Sequence, residues 1–333
     1  MITRLEAVRY RCFERLGIDL GDIRVVVGAN GAGKTTLLDL PGVFGDLLRA
    51  TNVGSAFVEK RQDLPPRAGC FQEILFAGRG TDFSLALEAA LPEGIANEVR
   101  NGAITRLRTE KARAAFSADE RRWPSHLRYE ISFELAEDGT LQVRNEYLFL
   151  FPKAFTPDRS ETAIQGPQAG QNKHWLVVIK RDSRSGAEII PEASARPKRQ
   201  GAAAGVDLPA TVLALPRVLY ESSAEYPAAR WLFELLTEGA VFLDPDWTEM
   251  RLASHPGQPR RLVGSGRNSL GWQSISSART RLKAPERHSA ARAMPIGSRT
   301  SKRPCRGSRI SMCASGRTTI TPISSCAMPA ATR

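Results

Sequence analysis

The chain has 333 residues, 42% hydrophobic and 25% charged, which is enough for one large domain or two ordinary ones around a sizeable core. It holds no apolar run of 18 residues, which argues against a membrane-spanning helix. Its five cysteines lack the paired spacing of a disulfide scaffold or a zinc site. The net charge of +12 is confined to one end: residues 267–333 hold 13 Lys/Arg against Glu286 alone, whereas residues 1–266 hold 34 of each sign. The body therefore carries no global basic footprint for nucleic acid. No secretory signal opens the chain, so a cytoplasmic location is expected.

Met1–Tyr10 alternates apolar and polar residues and predicts a strand. Leu16–Leu20 and Ile23–Val27 follow as short apolar runs, separated by the turn signal Gly21-Asp22. The β-branched Val25-Val26-Val27 predicts a buried strand that ends at Gly28. Next come Gly28-Ala29-Asn30-Gly31-Ala32-Gly33-Lys34-Thr35-Thr36 and the helical run Leu37–Leu48. Thr51–Arg67 reads as irregular. Phe71–Ala77 and Phe83–Leu91 read as strands, and Asn97–Glu120 as one charged surface helix. Leu127–Leu135 and Leu141–Phe151 alternate on either side of Glu137-Asp138-Gly139-Thr140, a hairpin signal. A second hairpin is expected from Trp175–Lys180 and Ala187–Ile190. Ala193–Gly205 reads as a basic, Ala-rich mobile loop, and Ala210–Tyr220 and Ala228–Leu236 as helices.

The segment from Gly28 to Thr36 carries the chemistry. It matches G-x-x-x-x-G-K-[ST] in full and lies between a predicted strand and a predicted helix, the context the pattern requires. The glycines Gly28, Gly31 and Gly33 permit a tight turn that brings backbone N–H groups onto phosphate oxygens. The helix that starts near Lys34 aims its positive dipole end at the same phosphates. Asn30, Gly31, Ala32 and Gly33 form the cradle. Lys34 reaches the β- and γ-phosphates, Thr35 supplies a hydroxyl to Mg²⁺, and Thr36 can reach the α-phosphate. ATP with Mg²⁺ is the expected ligand.

An opening strand, the aromatic Phe13 and the run from Val25 to Leu38 together resemble the ATPase heads of ABC type, in the RecF, SMC and overcoming-lysogenization-defect group. The resemblance covers about residues 1–50. It implies an α/β P-loop NTPase core with a β-rich lobe inserted after the first helix. It also implies ATP hydrolysis in intact relatives, closure of two heads as a homodimer, and DNA as a partner. On this reading residues 1–50 begin the core, 51–205 form the lobe, 206–266 return to the core as helices, and 267–333 are a disordered basic tail. The family's signature helix is absent from the sequence. Its Walker B strand finds one imperfect candidate, Ala240–Asp246, in which Asp244 is followed by Pro245 rather than Glu. A turn is the simpler reading there. Gln72 lies 38 residues after Lys34, at a distance that suits a Mg²⁺-contacting Q-loop glutamine. No general base is assignable. His126, His174, His255 and His288 lack ligand or triad spacing. Cys12 and Cys70 read as buried small apolar residues.

Residues 267–333 show no useful period, and three of the five cysteines, Cys305, Cys313 and Cys326, lie in them. They read as a basic arm on phosphate backbones, a disordered tail, or the wrong frame of a GC-rich gene. The third reading fits best. Shifted by one base, Thr318–Thr321 encode four successive residues from the Asp/Asn/His/Tyr set, and Ser324–Cys326 can encode three apolar ones. The chain would then stop short of the signature and Walker B elements, and poor solubility, weak nucleotide binding and no hydrolysis are expected. The alternative function is nucleic-acid binding through the tail, with the P-loop as a nucleotide switch. A GTPase is disfavoured because no Asn/Thr-Lys-x-Asp motif occurs, and a kinase because no acceptor site is identifiable.

Overall fold

The computed structural model describes residues 1–61, 64–157, 174–183, 186–193, 204–240, 242–253 and 262–269, with Gly166 and Gly257. The expectations for residues 270–333, for 194–203 and for His255 lie outside the described residues. Among the described residues eight strands form one antiparallel sheet: β1 (Ile2–Tyr10), β2 (Phe13–Asp19), β3 (Asp82–Ala90), β4 (His126–Leu135), β5 (Leu141–Phe151), β6 (Leu176–Ser183), β7 (Gly186–Ile189) and β8 (Ala204–Val206). Their order is β2-β1-β3-β4-β5-β6-β7-β8. Both expected hairpins form, with Leu135 opposite Leu141 and Ser183 opposite Gly186. The mobile-loop expectation for Ala193–Gly205 fails at its end, where residues 204–206 pair with β7.

The stretch between β2 and β3 leaves the sheet and returns. It holds α1 (Lys34–Arg49), whose Leu37, Leu40, Phe44, Leu47 and Leu48 are buried at the spacing of one helix face. Phe44 meets Tyr129 of β4 with ring centroids 6.1 Å apart, so α1 lies on the sheet face that carries Leu5, Leu85, Leu87 and Ile131. A short helix, α2 (Ser55–Val58), inserts Phe57 between Tyr10, Phe83 and Phe133, with its ring edge-on to Phe83 and Phe133. The stretch Thr51–Arg67 is therefore not wholly irregular.

Three further expectations are corrected. Phe71–Ala77 is not a strand but two 3₁₀ turns, Phe71–Ile74 and Phe76–Gly78, tied to the sheet by one bridge from Tyr10 to Leu75. The single surface helix is two, α3 (Glu93–Arg106) and α4 (Glu110–Ser117); Thr109 caps the second through the Ala112 N–H. The buried strand Ile23–Val27 is absent. These residues have no regular structure, and Ile23, Val25 and Val27 are 82–86% exposed. A β-branched run is buried only where neighbouring strands flank it, and among the described residues none does.

Helices α5 (Ala214–Ser222) and α6 (Pro227–Glu234) cover the rest of the core face. Each begins on a buried glutamate. The Glu146 carboxylate accepts from the N–H groups of Ala214 and Leu215 at 2.6 and 3.0 Å, and from the Tyr129 hydroxyl at 2.8 Å. The Glu192 carboxylate accepts from Ala228 and Ala229 at 2.6 and 2.9 Å. Burial pushes Glu192 up to about 7, against the opposing pull of those N–H groups and of Arg106. After α6 the helix widens into a π-turn, Leu235–Gly239, that packs on α1.

The opposite face of the sheet buries charge. Arg128 pairs with Glu6 at 2.7 Å, with Glu88 at 2.9 Å and with Glu130, while Arg4 pairs with Glu6 and Asp19. Burial raises Glu130 despite Arg128 beside it.

Candidate functional site

The backbone dictates the shape of the phosphate loop. Gly31 and Gly33 adopt φ of +79° and +85°, which L side chains rarely occupy. Gly33 has a second constraint: a Cβ there would lie 2.7 Å from Cys12 Sγ and 2.9 Å from the Phe13 ring. The loop thus rests directly on the turn between β1 and β2. Gly33 precedes α1, and the first helical hydrogen bond runs from the Leu37 N–H to the Gly33 carbonyl. The N–H groups before it have no partner within the helix. No acidic residue lies in the first turn and no side chain caps it, so the positive end of the dipole is left uncompensated. Lys34 adds its charge there, its Nζ donating to the carbonyls of Gly28 and Ala29 at 2.7 Å each.

This end of α1 opens into a cleft of about 570 Å³. One wall is Asn30, Gly31, Gly33, Lys34, Thr35 and Thr36. The other is Arg11 and Cys12 of the β1–β2 turn with Glu73, Leu75, Ala77 and Gly78. Gly28 and Ala32 lie in the loop but do not line the cleft, and neither does Gln72. Gln72 is exposed in the 3₁₀ turn, and its neighbour Glu73 faces the cleft instead. Asp244 is exposed, its N–H bound to the Gly264 carbonyl, and it is not among the lining residues.

Sequence reasoning missed Arg11 and Glu73. The one available signal for Arg11 was its place at the end of an alternating strand. Arg11 and Ala77 are two of three non-glycine residues at positive φ among those described (+54° and +51°; the third is Arg9). Such a conformation costs roughly 1–2 kcal/mol per residue. Hydrogen bonds fix it: the Arg11 N–H donates to the Ile74 carbonyl at 2.7 Å, and the Ala77 N–H to the Arg11 carbonyl at 3.1 Å. The cysteine expectation is corrected. Cys12 and Cys70 are both exposed; at the β1–β2 turn Phe13 takes the inward position beside Cys12. His126 stacks on Phe151 and His174 on Phe155.

The residues present fit a nucleotide triphosphate with its magnesium. The glycine conformations, the uncompensated helix start and Lys34 suit the phosphates. The exposed Thr35 hydroxyl at the cleft suits the metal.

No family model matches the sequence. The chain is similar to an OLD nuclease. That protein, from Thermus scotoductus, is 31% identical over an alignment of 150 residues that covers 38% of this chain and 28% of the nuclease. The chain therefore matches well under half the length of this relative. A solved structure of an SMC ATPase matches 44% of this chain and 68% of its own at 17% identity, with a TM-score of 0.23, a likeness too slight to bear on the site. At the coarse level the OLD relative agrees with the resemblance carried by the phosphate loop.

Proposed function

We propose that this chain binds MgATP, with the phosphates on the N-terminus of α1. The observation that carries the reading is the uncompensated helix start beside Lys34, opening into a cleft wide enough for the ligand. Lys34 exchanges the Gly28 and Ala29 carbonyls for β- and γ-phosphate oxygens. The N–H groups of Gly31 to Thr36 hold the remaining charge, and the Thr35 hydroxyl is one ligand of the metal. The bound metal offsets phosphate charge.

Binding without turnover is the expected behaviour of the isolated chain. Among the described residues Glu73 is the one carboxylate that lines the cleft, whereas hydrolysis in such sites needs a metal-binding acid and a group to orient water. The run Ile23–Val27 supports the same reading, because the segment that feeds the loop has no regular structure and no strand flanks it among the described residues. Closure of two heads as a homodimer, DNA as the partner and a cytoplasmic location belong to this proposal through the resemblance. Among the described residues no helix is long and apolar enough to cross a membrane.

The test is equilibrium titration with a fluorescent ATP analogue, with and without Mg²⁺, on the full chain and on Lys34→Ala. Saturable Mg²⁺-dependent binding that Lys34→Ala abolishes is expected. Binding indifferent to Lys34, or none in the parent chain, would sink the reading. Robust ATP turnover would overturn its second half.

A further inference from the structure

We infer that Arg67 is a positioning residue that sets the two walls of the cleft against each other, a role that rests on the cleft being the nucleotide site. Arg67 does not line the cleft. Its guanidinium is 2% exposed and spends its donors on α1 and α2. Nε and Nη2 form a fork on the Asp39 carboxylate at 2.7 and 3.0 Å. Nη1 reaches Asp46 at 2.7 Å and the Ala56 carbonyl at 2.8 Å. Asp39 lies five residues beyond Lys34 on α1, and Asp46 lies two turns further on the same side. Arg61 adds a weaker contact to Asp39 at 3.2 Å.

The other end of the lever is the chain itself. Two residues after Arg67 the Gly69 N–H donates to Oε2 of Glu73 at 2.8 Å, and Glu73 is the first residue of this segment to line the far wall. That wall continues through Leu75 and Ala77, which are tied to Tyr10 and Arg11. One buried guanidinium therefore joins the helix that presents the phosphate loop to the segment facing it across the cleft. The fork leaves little slack, since a Cβ on Gly42 would sit 3.1 Å from Asp39 Oδ1 and 3.4 Å from Arg67 Nη2. Burial alone would lower the Arg67 pKa; Asp39 and Asp46 outweigh it and hold the group above its ordinary value, so the clamp stays charged. Lysine cannot replace it, because a point charge makes no bidentate contact.

The experiment uses the full chain with Arg67→Lys and, as a milder variant on a partly exposed partner, Asp46→Asn. Two quantities are read: the Kd for a fluorescent MgATP analogue, and nucleotide-free hydrogen exchange in residues 28–36 and 69–78. Arg67→Lys is expected to raise Kd by about tenfold, the loss of one charge-assisted contact, and to raise exchange in both segments together. Exchange in β3–β5 should not change, and Asp46→Asn should move both readouts the same way by less. Parent-like Kd and exchange in Arg67→Lys, or a rise spread evenly over the sheet, overturns the inference. If Arg67→Lys does not fold, parent-like values in Asp46→Asn overturn it. If the parent chain binds no MgATP, the nucleotide reading falls, and the exchange data alone decide the clamp.

Discussion

Gly33 concentrates two demands in one residue: a left-handed backbone and the space taken by Cys12 and Phe13. Gly33→Ala should therefore destabilise the chain by about 1–2 kcal/mol and weaken MgATP binding at least tenfold, as read by thermal melting and nucleotide titration. Glu192 gives a pH signature. Its pKa rises from an ordinary carboxylate value to about 7 on folding, so the folded state holds the proton more tightly. The stabilisation is full below the unfolded pKa and is lost as pH rises through 7, by at most about 3 kcal/mol. Glu192→Gln should flatten that slope, as urea unfolding at pH 5 and pH 8 would show; an unchanged slope would assign it to another group. The cradle residues were legible because phosphate binding demands glycines at fixed offsets. Arg67 was not, because its partners Asp39 and Asp46 lie 28 and 21 residues away and nothing local marks the contact.

Among the elements, β1, α1, β4 and β5 follow from local pattern, since alternation and a three-to-four-residue spacing report directly which face is apolar, even though the strands bury their charged face as well. Ile23–Val27 has an equally clear pattern and a different outcome. Burial of a strand on both faces is a property of its neighbours, which its own residues cannot encode. Phe71–Ala77 misleads differently: its apolar residues are drawn to Tyr10 and Arg11 by a single bridge and two hydrogen bonds rather than by a ladder. The sheet's charged face shows what pairing demands. Arg128 serves Glu6, Glu88 and Glu130, all buried, so Arg128→Leu removes the cation that three carboxylates share. A loss of about 3–5 kcal/mol is expected in denaturant titration, the range for breaking a buried ion pair by removing one partner.

For the molecule as a whole, the run Ile23–Val27, with Ile23, Val25 and Val27 exposed, is a β-prone segment that no strand pairs among the described residues, the kind of feature that drives chains to associate. Ile23→Lys combined with Val25→Thr should lower self-association in sedimentation velocity; an unchanged distribution would place the sticky surface elsewhere. A different consequence follows from the strand order. Strand β1 is flanked by β2 and by β3, and its partner in β3 arrives some eighty residues after it, with the phosphate loop and α1 strung between them. During synthesis the loop is made early, but the sheet face on which α1 rests is not complete until β4 has left the ribosome. The nascent chain thus carries α1 without the full sheet face beneath it until β4 has been made. Loop closure over that span, rather than helix formation, is therefore the step expected to set the pace at which the site comes into being.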